Sequence, residues 1–211
     1  MGIARNIARL IPNGSGLLPN ANIEAVAASK LTGSVALATQ VSGTLPDANA
    51  PSGSILQVVQ ATQTTTTTYS VAQSWISMSS FLSESITPIS SSNRILIMLQ
   101  LGKVHNINGV IIRLTRAGSV ITGALGQAAG SRPQATIANV SGFNADTNHS
   151  DGVNITYIDS PATTSSTTYS FDAYSEGSGV TGFNRSISDG DNTQEYSARV
   201  MSSIILMEIA S

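Results

Sequence analysis

The chain of 211 residues has no cysteine and few charged side chains. Without cysteine it has no disulfide, no thiolate nucleophile and no cysteine-ligated metal. Only 10% of its residues are charged, whereas ordinary soluble proteins have about 25%. The formal net charge of −2, with no basic stripe, argues against nucleic-acid binding. No apolar run approaches the roughly 20 residues that span a bilayer, so we expect no membrane insertion.

Histidine is also scarce, which limits catalytic and metal sites. The two histidines are His105 and His149. His149 has Ser and Asp neighbours, but neighbours in one loop do not converge as a catalytic triad must. Residues 189 to 195 space oxygen ligands at alternate positions, but Val200 stands where a helical calcium loop has its last Glu, which favours an acidic surface turn. The sequence therefore predicts no enzymatic activity, no catalytic residue, no metal site and no cofactor.

Residues 15 to 53 form an internal repeat. SGLLPNAN at 15–22 returns as SGTLPDAN at 42–49, with a weaker copy, TGSVALAT, at 32–39. Each copy has one or two sizeable aliphatic side chains, worth roughly 1.5–3 kcal/mol each when buried, whereas ordering its backbone costs about 1–2 kcal/mol per residue. One chain alone does not fold, so the repeat predicts a trimeric shaft. Its core would be formed by Leu18, Val35 and Leu45.

The stretch ASKLTGSVALATQVSGTLPDANAP, residues 28 to 51, resembles the ASKITSGT and GTLP-x-AN repeats in the shafts of bacteriophage tail fibres and related virion appendages. The resemblance implies a homotrimer that joins other virion proteins through its N-terminus and ends in a C-terminal head. It also implies localisation in the virion, in a tail or capsid appendage.

Residues 1 to 14 form a short basic leader before the shaft. Ile3, Ile7 and Leu10 lie at helical spacing, and we expect them to dock into another virion protein. The alternative is a frayed terminus, since one or two helical turns are not stable alone. Residues 22 to 33 are compatible with a short capped helix or with extended chain.

A Pro-Gly break at residues 50 to 53 marks the predicted domain boundary, so residues 54 to 211 form the head. There the apolar pattern has a period of two, and β-branched and aromatic residues are frequent. Nine strands are predicted, at residues 54–60, 64–73, 81–87, 93–101, 109–116, 153–159, 167–175, 180–184 and 202–209. The predicted fold class is all-β, a jelly-roll β-sandwich.

Three blocks of the head resemble a C-terminal head module of marine bacteriophage structural proteins. They are SSNRILIMLQL (91–101), YIDSPATTSSTTYSF (157–171) and SIILMEIAS (203–211). The resemblance implies a jelly-roll tip or receptor-binding domain with no assigned chemistry. Residues 117 to 152 have no counterpart in that module.

Residues 95–99 and 204–207 are apolar at consecutive positions, although successive side chains of a strand point to opposite faces. The outer face of these strands therefore needs a cover. We expect a second subunit to supply it, with Ile205 and Met207 in the head trimer interface. The alternative cover is a long loop such as residues 117 to 152.

These patterns predict a structural, non-enzymatic virion protein, a trimeric tail fibre or spike whose head binds a host cell-surface glycan or protein. We expect its binding loops at residues 117–152 and 176–194. Phe143 and Phe183 are the receptor-binding candidates, because loop aromatics are common anchors; the alternative for each is a core position. The alternative function is a capsid or collar fibre, or adaptor, with an assembly role alone, and a third is a glycan depolymerase.

Overall fold

A computed structural model describes residues 50–70, 73–106, 108–139, 150–176, 180–186 and 188–211. The predicted leader and the predicted shaft up to residue 49 lie outside these residues. The predictions for the following side chains therefore stay predictions: Ile3, Ile7, Leu10, Leu18, Val35, Leu45 and Phe143.

The described part of the chain is all-β. Its strands are β1 Ile55–Gln63, β2 Thr67–Ser70, β3 Ile76–Ser77, β4 Glu84–Ile86, β5 Arg94–His105, β6 Val110–Arg116, β7 Ser119–Val120, β8 Ile137–Asn139, β9 Asp151–Asp159, β10 Thr167–Tyr174, β11 Val180–Phe183 and β12 Ser202–Ile209. Two short 3-10 turns lie at Thr122–Ala124 and Glu195–Ser197. Each of the nine predicted strands overlaps an observed strand. The strands that the sequence did not indicate, β3, β7 and β8, have only two or three residues each.

The strands form two antiparallel sheets of six strands each. In sheet I, β12 and β11 pair successive stretches of one edge of β5, and β9 pairs its other edge. Outside them, β1 pairs β12 and β2 pairs β11. In sheet II, β3 and β4 pair one edge of β10, β6 pairs the other, and β7 and β8 pair the far edge of β6. Each sheet is therefore four strands wide, because several of its strands are interrupted.

The inner faces of the two sheets enclose one apolar core, as in a β-sandwich. Alternation along each strand supplies it: Ile97 and Leu99 of β5 and Ile204 of β12 come from sheet I, and Tyr169 and Phe171 of β10 come from sheet II. All five are at most 1% exposed. Each such side chain contributes roughly 1.5–3 kcal/mol on burial. The prediction of an all-β fold is confirmed.

Buried Glu208 ties the segment before β5 to sheet I. Its carboxylate accepts hydrogen bonds from Gln57 Nε2 at 2.5 Å, Asn93 Nδ2 at 2.6 Å and the backbone N–H of Ile89 at 2.7 Å. Burial alone would raise the pKa of Glu208, but these hydrogen bonds outweigh it and hold the pKa below its ordinary value. The ionised carboxylate is therefore part of the fold.

Asn184 joins the interrupted strands of sheet I. Its φ of 61° lies in the left-handed region, which Asn tolerates better than most residues. Its Nδ2 donates to the carbonyls of Gln63 at 2.8 Å and Thr65 at 3.1 Å, where β1 ends. Its Oδ1 accepts from Ser202 Oγ at 2.6 Å, where β12 begins. One buried amide thus connects the break between β1 and β2 with the break between β11 and β12.

We expect Glu208→Gln to lower the free energy of unfolding by about 1–3 kcal/mol near neutral pH, because the new amide places an N–H₂ group among hydrogen-bond donors. The folded-state pKa lies below the ordinary value of 4.5. The carboxylate therefore stabilises the fold above about pH 4.5, and this contribution is lost as the pH falls through the folded pKa. Urea unfolding at several pH values measures the difference, which should shrink in acid.

The matched control is Glu195→Gln, because Glu195 is exposed. Its effect should stay within about 0.5 kcal/mol at every pH. A Glu208→Gln effect that did not change with pH would contradict the role of the ionised carboxylate.

Candidate functional site

The outer face of sheet I is apolar where a solvent-facing sheet would be polar. Met207 of β12 lies between Val58 of β1 and Leu96 of β5, and Leu96 lies beside Ile158 of β9. A second row pairs Ile205 with Met98. We call these six side chains the apolar face: Val58, Leu96, Met98, Ile158, Ile205 and Met207.

Large parts of the apolar face are open to solvent. Val58 is 54% exposed, Ile158 46% and Met98 39%. A shallow cavity of about 160 Å³ lies between Met98 and Ile205. The polar side chains beside the two rows, Gln60, Gln100, Asn154 and Thr156, carry no charge. Arg94, two residues before Leu96 and opposite Ile209, is exposed on the same side at one end of the face. Depletion of charge with Met and aliphatic residues at the centre is typical of the core of a subunit interface.

Ile205 and Met207, the predicted head trimer interface, lie next to one another at the centre of this face. Both are partly exposed, whereas their neighbours Ile204 and Leu206 are fully buried. The position is the one that the prediction requires. The contact with a second subunit stays a prediction.

Residues 117 to 139 lie at the edge of sheet II. This stretch was expected to be loop, but β7 and β8 within it both pair β6. Both strands are too short for a period of two to be visible in the sequence. The next strand, β9, begins at Asp151, within the expected loop. In the described residues 117 to 139, therefore, the chain extends sheet II, and its strands do not pair with the strands of the apolar face.

Phe183 is a core residue, so its assignment as a receptor-binding candidate is corrected. It is 0% exposed, and its ring centroid lies 5.0 Å from that of Phe81 and 5.9 Å from that of Tyr69. The neighbours Gly182 and Asn184 suggested a loop, but Gly182 pairs within sheet I and Asn184 is the buried amide described above. The ring has no surface to offer a ligand.

The polar residues considered as catalytic or metal-binding groups are buried or paired with other protein groups where the structure describes them. His105 ends β5 and is 1% exposed, while His149 lies outside the described residues. Asp189 pairs with Arg185 at 2.9 Å and with Arg199 at 2.6 Å, so the acidic stretch is held by arginines.

Among the described residues no group of three or more His, Asp or Glu side chains is placed to hold a metal ion. Within the same residues, no helix has the length and apolarity needed to cross a bilayer.

Comparison with known proteins finds no matching family model and no matching curated protein. The functional conclusion therefore depends on the geometry of the two outer faces of the sandwich.

We expect Phe183→Ala to lower the free energy of unfolding by about 3–5 kcal/mol, because it removes a ring from the aromatic core. Val180→Ala in the same strand is the control. Val180 is 48% exposed, so its truncation should change stability by no more than about 0.5 kcal/mol. Urea unfolding of both variants measures the effect, and equal stabilities would contradict the core assignment.

Proposed function

We propose that this chain is a structural protein of a bacteriophage virion, a homotrimeric tail fibre or spike whose head binds the surface of the host cell. Residues 1–14 attach it to other virion proteins, residues 15–53 form the shaft, and the sandwich is the head. The proposal includes no catalytic step and no cofactor. The observation that supports it most is the apolar face, an exposed surface whose six central side chains are all apolar.

We also propose that the head is a jelly roll. Taking interrupted strands together gives eight ribbons: β1 with β2, β3 with β4, β5, β6, β7 with β8, β9, β10, and β11 with β12. Numbered along the chain, sheet I has the order 1-8-3-6 and sheet II the order 2-7-4-5. The chain therefore passes to the other sheet after every ribbon except ribbon 4, which is followed by its neighbour in sheet II. The two Greek keys of a jelly roll have this order. This order supports the assignment.

The free-energy cost of bringing subunits together indicates how much of the apolar face a trimer must bury. Each fully buried aliphatic side chain contributes roughly 1.5–3 kcal/mol. Association costs an estimated 4–15 kcal/mol in lost freedom of motion. Ile205 and Met207 alone do not exceed that range, whereas all six side chains together approach or exceed its upper end. The proposed interface is therefore the whole apolar face.

We expect the purified chain to have a mass of about 65 kDa by light scattering, three times the 21.7 kDa of one chain. Ile205→Asp should shift the mass toward that of one chain, because it places a charge at the centre of the contact. Ser119→Asp is the control, since Ser119 is exposed at the edge of sheet II. A compact single chain for the unaltered protein would contradict the trimer.

Host attachment is tested at the exposed loop of residues 127–134. Its ends meet where the Gly126 N–H donates to the Ala135 carbonyl at 3.0 Å, so a two-residue turn can replace the loop without moving β6 or β8. We expect the replacement to lower binding of labelled protein to host cells about tenfold, as loss of a loop contact. Ser165→Ala with Ser166→Ala, in the exposed segment just before β10, is the control.

The alternative role, a capsid or collar fibre or adaptor without receptor binding, makes the opposite prediction. In that case the chain assembles into virions, but neither it nor the loop variant binds host cells. Unchanged adsorption of virions that carry the loop variant would favour this alternative.

A further inference from the structure

Two aromatic side chains and one ion pair meet on the outer face of sheet II. Trp75, just before β3, and Tyr174, at the end of β10, have ring centroids 5.4 Å apart and planes inclined by 40°. The guanidinium of Arg113 in β6 lies 4.1 Å from the centroid of the Trp75 ring. Arg113 also donates from Nε to Asp172 Oδ2 at 2.9 Å. Stacking and the ion pair together hold the guanidinium plane in place.

A cleft of about 160 Å³ opens beside this aromatic pair, and Tyr174 forms part of its wall. Val110, Ile111 and Pro133 are the other apolar residues that line it, and its polar residues include Asn108 and Glu176. Pockets for drug-sized ligands measure roughly 300–1,000 Å³. This cleft is therefore the size of a single ring rather than of an extended chain.

We propose that the cleft beside the Trp75–Tyr174 pair binds one pyranose unit of a glycan on the Tyr174 ring, an inference that rests on the proposed host attachment and specifies its ligand. A pyranose has an apolar C–H face that packs on an aromatic ring, and hydroxyls around its edge that need donors and acceptors. Tyr174 supplies the ring. Glu176 supplies acceptors, and Asn108 supplies an amide.

The mixed character of the cleft favours a sugar over an apolar partner. A purely apolar occupant would displace water from the polar residues of the cleft without replacing its hydrogen bonds, and each buried polar group left unpaired costs about 1–3 kcal/mol. Because the Tyr174 ring is already packed against Trp75, which also contacts the Arg113 guanidinium, the ring loses little freedom when a sugar packs on it.

The location also suits a receptor site. The cleft belongs to the outer face of sheet II, and the apolar face belongs to the outer face of sheet I, so the core separates the two surfaces. Trimer contact through the apolar face leaves three such clefts open to solvent.

Trp75 is the only tryptophan of the chain, so its fluorescence reports on this site without a label. The probes are the methyl pyranosides of glucose, galactose, mannose and N-acetylglucosamine, each titrated into the full-length protein to about 50 mM, since a single shallow cleft has a millimolar dissociation constant. We expect a saturable change in emission with at least one of them. No saturable change with any of the four overturns the proposal.

Variants then locate the binding. Tyr174→Phe keeps the ring and should retain the affinity, whereas Tyr174→Ala and Glu176→Ala should each weaken it about tenfold, because both residues line the cleft. Ile89→Ala is the control, because Ile89 is 47% exposed and lies outside both sheets. Urea unfolding confirms that each variant is folded. Equal affinities of Glu176→Ala and the unaltered protein, with Tyr174→Ala either equal or unfolded, overturn the proposal.

Binding to host cells separates this proposal from host attachment itself. If cells bind the protein, the free sugar competes and Tyr174→Ala fails to bind, both proposals are supported. If Tyr174→Ala still binds cells, the sugar site is overturned and attachment stands. If Tyr174→Ala fails to bind cells although no free sugar binds or competes, the ligand is a protein, which overturns the sugar proposal. If sugars bind but no host cell does, the cleft stands and attachment is overturned.

Discussion

Two central strands of this protein are apolar on both faces, and the rest of the structure depends on how those faces are covered. In β5, Ile97 and Leu99 are buried against sheet II, while Leu96 and Met98 point the other way. A sandwich of two sheets covers each sheet once, since successive side chains alternate in direction. A second cover for sheet I must therefore come from outside the described residues or from another chain. Because the six central side chains of that face are apolar, covering them with another apolar surface is favoured over leaving them in water.

The ends of the sandwich are held without disulfides, by buried polar groups. Glu208 and Asn184 fix the segments around β5 and the strand breaks of sheet I. On the inner side, the Tyr169 hydroxyl donates to Asp159 Oδ2 at 2.7 Å, and Arg116 lies 2.8 Å from the same oxygen. Burial, reinforced by the Asp159 carboxylate, raises the pKa of Tyr169, so the phenol remains a donor. Buried groups of this kind stabilise a fold only when each has its partner, and these do.

Much of the strand pattern could be predicted from the sequence because long strands leave a long periodic signal. β9, β10 and β12 lie where alternation placed them, within two residues at each end. By contrast, β3, β7 and β8 are too short for a period of two to register. β5 continues past the expected end at residue 101, because Gly102 has no side chain where a Cβ would meet Val200 Cγ2 at 2.8 Å.

The candidate sites were harder to predict, because they depend on which strands are neighbours. The period-two pattern placed Ile205 and Met207 on one face, and that placement agrees with the structure. Phe183 was misplaced, because flanking Gly and Asn residues are as compatible with a strand break as with a loop. The meeting of Trp75, Tyr174 and Arg113 depends on the pairing of β3, β10 and β6, and no local pattern encodes that pairing.

The two outer faces of the sandwich differ in chemistry in a way that fits two separate tasks under the proposed function. One face is broad and apolar at its centre, which suits burial against copies of itself. The other has a small cleft with aromatic and ionic groups, which suits a polar ligand. A cleft that holds one ring binds weakly, at about the millimolar level, and a virion cannot be retained by one such contact. Linking three clefts raises overall affinity by a factor of about 10²–10⁴ when the geometry allows simultaneous contact. Recognition would then require the trimer, so the apolar face would determine how strongly the opposite face binds.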